Sequence, residues 1–338
     1  MQKEKIDNSL ISKYRGVLMG LSILLIMVFH YTEDCSEMDY HFHGWIQWFN
    51  QHIGSSSVDA FLFFSGLGLY YAMKKNPDLK NFYQRRIIRL LVPYVLIALP
   101  AWIIYDIGIL KVGWVEMIKD FTFITFFSDG DKWFWYVGLM FLCYLIYPYI
   151  FRVVDTARDA IDGEIRLISL VSAITVVSMV IESCEATFFS YTNVALLRLP
   201  IFLAGCFYGR SSYEKRTSYW KWGVLLVCSG FLLTLLPTES PVFSRFTSGI
   251  FNVAVCAMLA LFFSKVPLMP LQRVLEWFGQ RSLELYLVHV AVRKLMKNEG
   301  MNTCHPKNEL IMVVTAIVLT CLLHVIVQAI QKKILRSK

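Results

Sequence analysis

Lys13-Tyr14-Arg15-Gly16, then Val17-Leu18-Met19-Gly20-Leu21-Ser22-Ile23-Leu24-Leu25-Ile26-Met27-Val28-Phe29, then His30 is the stretch that decides the fold. A basic cluster opens an apolar run, and the whole is long enough for a bilayer, which takes roughly 20 helical residues. A titratable side chain closes it. An ionisable group at the far end of a membrane helix is costly and usually has a task. The same alternation of apolar stretch and short loop continues along the chain. It predicts spans near 16–33, 54–73, 88–107, 133–151, 166–182, 193–209, 220–236, 246–264, 277–296 and 309–330.

Composition agrees with an all-α, polytopic membrane protein of about ten transmembrane helices. Hydrophobic residues make up 56% of the chain, charged residues 17%, and mean hydropathy is +0.51. A soluble domain lies nearer half apolar and a quarter charged. The excess of 33 Lys and Arg over 25 Asp and Glu could suggest a nucleic-acid partner, but its placement argues against one. If the N-terminus is cytoplasmic, every second loop collects the basic residues. Lys13 and Arg15 come first, then Lys74 to Arg89, Arg152 to Arg166, Arg210 to Lys221, and the tail from Lys332 to Lys338. The positive-inside bias therefore predicts that both termini are cytoplasmic. A single membrane domain is expected over residues 1–338, with a short N-terminal segment at 1–13 and a tail at 331–338. The stretch Val112 to Phe127 is amphipathic and is expected to lie in the membrane interface. Pro237, Pro241, Pro267 and Pro270 punctuate the later spans. Most of the eight cysteines fall inside spans, and only Cys35, Cys184 and Cys304 fall on outer loops or span ends. With no CxxC spacing, neither a metal site nor a disulfide framework is expected.

Five groups of residues could carry chemistry. His30 at the outer end of the first span suits general-base work on a hydroxyl, or is an interfacial histidine facing water. Asp59 enters the second span from the same side; it either orients His30 or compensates the helix dipole. Arg85 and Arg89 share a helix face at i,i+4 with Arg86 beside them, a fork for phosphate or an anchor on lipid headgroups. Arg281 and Glu284 are i,i+3 partners that could neutralise each other, and His289 lies deeper in the same span. Arg198 and His324 have no partner that the sequence reveals.

In order along the chain, these segments resemble the membrane-bound acyltransferase-3 family. Phe29-His30 ends the first helix. The second reads Val58-Asp59-Ala60-Phe61-Leu62-Phe63-Phe64-Ser65-Gly66, and Phe82-Tyr83-Gln84-Arg85-Arg86-Ile87-Ile88-Arg89 runs on to Pro93-Tyr94. An aromatic helix follows from Trp133-Phe134-Trp135-Tyr136 to Tyr147-Pro148, and a late one runs from Gly279 through Ser282 and Tyr286 to His289. Where the family usually has an arginine in the first helix this chain has Met19; the nearest arginine, Arg15, is one turn earlier. The resemblance implies a multi-pass enzyme of the cell membrane, in a bacterium the plasma membrane, with no bound cofactor. It implies transfer of an acyl group, commonly acetyl, from acyl-coenzyme A to a hydroxyl of an extracytoplasmic glycan or other small acceptor. His30 and Asp59 are then the catalytic pair, and Arg85, Arg86 and Arg89 the grip on coenzyme A phosphates. Arg15, Ser65, Arg281, Glu284 and His289 would support them. The rival reading is a transporter or flippase of a lipid-linked or acidic solute.

Overall fold

The computed structural model describes residues 5–336 apart from 41, 237 and 267, so Pro237, Pro267 and the terminal Lys338 lie outside it. The helices in chain order are α1 (Ser9–Lys13), α2 (Arg15–Glu37), α3 (Gly44–Phe49), α4 (Ser57–Lys75), α5 (Leu79–Trp102), α6 (Trp114–Phe121), α7 (Ile124–Ser128) and α8 (Trp135–Asp155). They continue as α9 (Ala160–Cys184), α10 (Ala186–Leu196), α11 (Leu199–Tyr213), α12 (Trp220–Thr234), α13 (Pro241–Lys265), α14 (Met269–Gln280), α15 (Ser282–Asn298) and α16 (Pro306–Arg336). Two short strands, β1 (Lys5–Asp7) and β2 (Thr217–Tyr219), pair antiparallel and tie the N-terminus to the loop before α12.

Helix covers each of the ten predicted spans, and among the described residues seven helical stretches are long and apolar enough to cross a membrane, one of them Ala186–Tyr213, which runs through α10 and α11. Three predictions need correction. The sixth span, predicted as one helix, is broken into α10 and α11 at Leu197-Arg198, where Pro200 has no N–H to continue the ladder. The ninth is two helices, α14 and α15, separated at Arg281. The predicted outer loop at 34–53 is still helical to Glu37, and that extra turn carries Asp34. The amphipathic stretch at 112–127 forms the short helices α6 and α7. The first lies against α5, with the Tyr94 hydroxyl donating to the Phe121 carbonyl at 2.7 Å, and the second lies against α10.

Two glycine crossings set the helix spacing around the site. A Cβ on Gly20 would stand 1.7 Å from the Leu275 carbonyl, and one on Gly279 would stand 1.9 Å from the Gly16 carbonyl. Here α2 and α14 touch backbone to backbone. A Cβ on Gly205 would meet the Phe63 carbonyl at 2.1 Å and one on Gly66 the Phe202 carbonyl at 2.4 Å, so α4 and α11 do the same. Both crossings use small residues four apart, Gly16 with Gly20 and Gly205 with Gly209. That spacing lets helices in lipid approach closely enough to pack.

The disulfide expectation is overturned. Cys35 at the end of α2 is bonded to Cys304 just before α16, across 269 residues of sequence. Spacing could not reveal it, because the partners are brought together only when α15 packs beside α2.

Candidate active site

Two cavities enter the bundle from opposite ends of α2. The first, on the face that carries the N-terminus, has a volume of about 890 Å³. The second, on the face that carries the disulfide, has about 820 Å³. Ile26, Val58 and Tyr286 line both, so one layer of side chains separates them. Tyr286 is backed by Tyr136 at a ring-centroid distance of 5.6 Å, with Phe61 packed on the far side of Tyr136 at 6.2 Å.

The N-terminal cavity is lined by Arg15, Arg86 and Arg89, with Ser65 deeper in its wall. None of these guanidiniums is in an ion pair among the described residues, and they are close enough to repel one another. The third predicted arginine, Arg85, is exposed, as Arg15 and Arg89 are, but unlike them does not line this cavity. Arg15 reaches the cavity from the helix mouth. Its Nη1 lies 2.6 Å from where a Cβ on Gly68 would stand, so the glycine in α4 is what makes room for it. Met19 lines the same cavity one turn further along. Thus the turn-early arginine and the methionine in its usual place share one wall.

His30 lines the second cavity, about 22 Å along the axis from Arg15 at 1.5 Å per residue. Its Nδ1 is 2.9 Å from Nε2 of His289, and the two rings are nearly coplanar in orientation, 6° apart. His289 is fully buried, and its other nitrogen, Nδ1, has no hydrogen-bond partner among the described residues. Two tautomeric arrangements satisfy the shared contact. When His30 Nδ1–H donates to His289, the lone pair of His30 Nε2 is left for the cavity. The reverse arrangement puts a proton on Nε2 and removes the base.

The structure does not bring Asp59 to His30. Asp59 is fully buried and pairs with Arg198 Nε at 3.0 Å, with Arg245 Nη1 at 4.0 Å. Arg198 sits at the break between α10 and α11 and spends its other amino groups on the Val194 carbonyl at 2.6 Å and the Ser55 carbonyl at 3.1 Å. Its guanidinium also lies over the Trp135 ring, 5.0 Å from the centroid. A cation among the last carbonyls of α10 complements the helix dipole there. Arg281 and Glu284 do not meet either. Glu284 accepts from His324 at 3.0 Å, and Arg281 lies over Trp277 at 4.4 Å. Both Glu284 and His324 line the N-terminal cavity.

A clamp that the sequence reading missed holds α2 against α15 beside the histidines. Asp34 binds Arg293 and accepts from Lys297 Nζ at 2.9 Å; Arg293 also reaches Glu33 at 2.8 Å, and Lys297 reaches Glu37 at 2.5 Å. The Tyr31 hydroxyl donates to the Cys304 carbonyl at 3.1 Å, next to the disulfide. The usable signal was the run Glu33-Asp34 and Glu37 set against Arg293-Lys294 and Lys297, opposite charges on two outer helix ends. No metal-binding group of three or more His, Cys, Asp or Glu residues occurs among the described residues.

The two cavities give the bundle a basic end and a histidine end, with one layer of side chains between them. Neither the curated proteins nor the solved structures contain a significant match. Residues 17–329, nearly the whole chain, match the acyltransferase domain of the acyltransferase-3 family, and the chain belongs to that family.

Proposed function

We propose that this membrane acyltransferase takes an acyl group, acetyl in the first instance, from a coenzyme A thioester on the cytoplasmic side. It passes the group to a hydroxyl of a glycan or other small acceptor on the opposite side. One observation carries the reading: the guanidiniums of Arg15, Arg86 and Arg89, in no ion pair among the described residues, line a cavity that meets the His30 cavity at a single layer of side chains. A cluster of like charges held together in a membrane protein is costly, and a polyanion such as the phosphates of coenzyme A relieves it. Both termini are cytoplasmic on this reading, and the disulfide lies on the oxidising side, where such bonds persist.

The pantetheine arm reaches from the arginines through the layer of Ile26, Val58 and Tyr286, and the thioester stops beside His30. The acceptor hydroxyl enters from the other cavity. His30 Nε2 takes its proton while the oxygen attacks the thioester carbonyl carbon. The C–O bond forms, the C–S bond breaks, and the proton passes from His30 to the departing thiolate. His289 is a positioning residue: by accepting from His30 Nδ1–H it selects the tautomer with a free Nε2. Asp59 belongs to the wall of the site through Arg198. Membership of an acyltransferase family favours this over the transporter reading.

The test is thiol release from acetyl-coenzyme A by purified protein in nanodiscs with a pool of glycan acceptors, wild type beside His30→Ala. General-base assistance is worth roughly 10²–10⁴ in rate, so a loss of at least a hundredfold is expected. Equal rates in a variant that inserts and melts normally would remove His30 from the reaction.

A further inference from the structure

The cavity that holds His30 carries positive charge that its own ion pairs do not use up. Arg293 and Lys297 are consumed by Glu33, Asp34 and Glu37. Arg198 is engaged by the Asp59 carboxylate as an ion pair and by hydrogen bonds to the Val194 and Ser55 carbonyls. Arg245 is not. It stands off Asp59 at 4.0 Å and gives one amino group to Ser56 Oγ at 3.2 Å. Its Nε and Nη2 have no hydrogen-bond partner among the described residues, and its side chain, 23% exposed, lines the cavity. One buried carboxylate thus serves two guanidiniums, and Arg245 is the one left open.

A second cation lies in the same wall. Lys294 Nζ stands over the rings of Tyr105 and Trp133, 5.1 and 5.9 Å from their centroids, and is in no ion pair among the described residues. The buried Asp106 carboxylate acts on it only at longer range. The one carboxylate of the lining outside the clamp, Asp131, accepts from the Trp133 backbone N–H at 2.7 Å. Trp133 and Trp135 complete this wall but are already packed: Trp133 is buried and stacked on Phe134, and Trp135 lies under Arg198.

We propose that the acceptor is a hydroxylated anion, a sugar bearing a carboxylate or phosphate that the open edge of Arg245 holds, with Lys294 adding to the field. This rests on the acyl-transfer reading and names its acceptor class. A planar guanidinium with two free donors matches either anion in a bidentate contact. A neutral sugar brings the same hydroxyls but leaves the Arg245 donors without a charged partner, and charge-assisted contacts separate such analogues most strongly.

Binding measured without any donor tests the class apart from the chemistry. The probes are a glucuronate-terminated disaccharide, its carboxyl-reduced glucose counterpart and a glucose-phosphate-terminated disaccharide. Each is titrated against protein in nanodiscs by equilibrium dialysis. The anionic probes are expected to bind about ten- to a hundredfold tighter than the neutral one, the range of one charge-assisted contact. Carboxylate against phosphate decides which anion is preferred. Raising salt to about 0.5 M should narrow the gap by screening. Arg245→Gln should abolish the preference and Arg245→Lys should keep part of it, with thermal midpoints checking the fold of each. Equal affinity for anionic and neutral probes in the wild type, or a preference undiminished in folded Arg245→Gln, overturns the proposal. Thiol release is read separately: its absence alongside a clear anion preference would fault the reaction and leave the acceptor class standing.

Discussion

Neutralising Asp59 while leaving Arg198 in place discriminates between a chemical and an architectural carboxylate. Both side chains are buried, 0% and 5% exposed, and their contact at 3.0 Å is inside the bundle. Asp59→Asn therefore strands a guanidinium in a poorly hydrated site, and breaking a buried pair from one side costs about 3–5 kcal/mol. The double variant Asp59→Leu with Arg198→Met removes both charges and keeps the volume apolar. Arg245 remains, but at 23% exposure it can be hydrated through the cavity. The double variant should recover more than half of the single loss, a coupling of roughly 2 kcal/mol or more. The assay is equilibrium unfolding in mixed detergent micelles, with thiol release measured per folded molecule. A double variant no more stable than the worse single one would refute the pairing argument. Asp59→Asn with wild-type stability and no activity would return Asp59 to the chemistry beside His30.

Replacing His289 by alanine should lower turnover roughly ten- to a hundredfold, as losing an orienting partner on a functional histidine does, with little change in KM. Glutamine there, whose amide oxygen can accept from His30 Nδ1–H, should restore part of it; equal losses for alanine and glutamine would remove the positioning role. Gly279→Ala puts a methyl where the Gly16 carbonyl stands 1.9 Å away, so α14 must move off α2 at a cost of about 1–3 kcal/mol or more, read as a lower thermal midpoint. An unchanged midpoint would show that the crossing is loose. Reducing the Cys35–Cys304 bond, or replacing both cysteines by serine, should cost on the order of 2–4 kcal/mol and leave the reductant without further effect on the double variant. Outside the membrane segments, Glu214 is held below its ordinary value of 4.5: burial opposes the shift, but hydrogen bonds from Arg210 and Arg216 outweigh it. Its stabilisation is present above that value and drains as pH falls through and below it, so Glu214→Gln should flatten the acid limb of a stability–pH curve.

How far the sequence could be read follows from which interactions are local. Each apolar run became helix because a backbone in lipid must satisfy its own hydrogen bonds, a constraint that acts within a single segment. Partner choice between segments has no such local cause. His30 and Asp59 enter consecutive helices from one side, yet Asp59 faces α11 and the break at Arg198, while His30 faces α15. Arg281 and Glu284 stand at helical spacing, but the unwinding at Arg281 turns them apart, and Glu284 finds His324 on α16 instead. The arginine triplet divides for a simpler reason: Arg86 and Arg89 are three apart and line one cavity, whereas Arg85 points away from it. Gly16 with Gly20 and Gly205 with Gly209 mark in the sequence which faces of α2 and α11 admit close approach, but not which helices meet them.

The two ends of the site differ in how firmly they are held, and the difference bears on selectivity. Around His30 the helices are cross-tied by a disulfide, by Asp34 with Arg293 and Lys297, and by Arg198 with Asp59. At the other end Arg15, Arg86 and Arg89 line open space with no carboxylate paired to them among the described residues. On the proposed reading, that end gains its order from the donor. Coenzyme A keeps all its phosphates after the acyl group has left, so the arginines hold product as well as substrate and contribute uniform binding rather than rate. Discrimination between thioester and thiol must then arise where the two molecules differ, beyond the layer of Ile26, Val58 and Tyr286. The rigid end of the protein lies there, and the His30–His289 contact within it is what the clamp keeps in register.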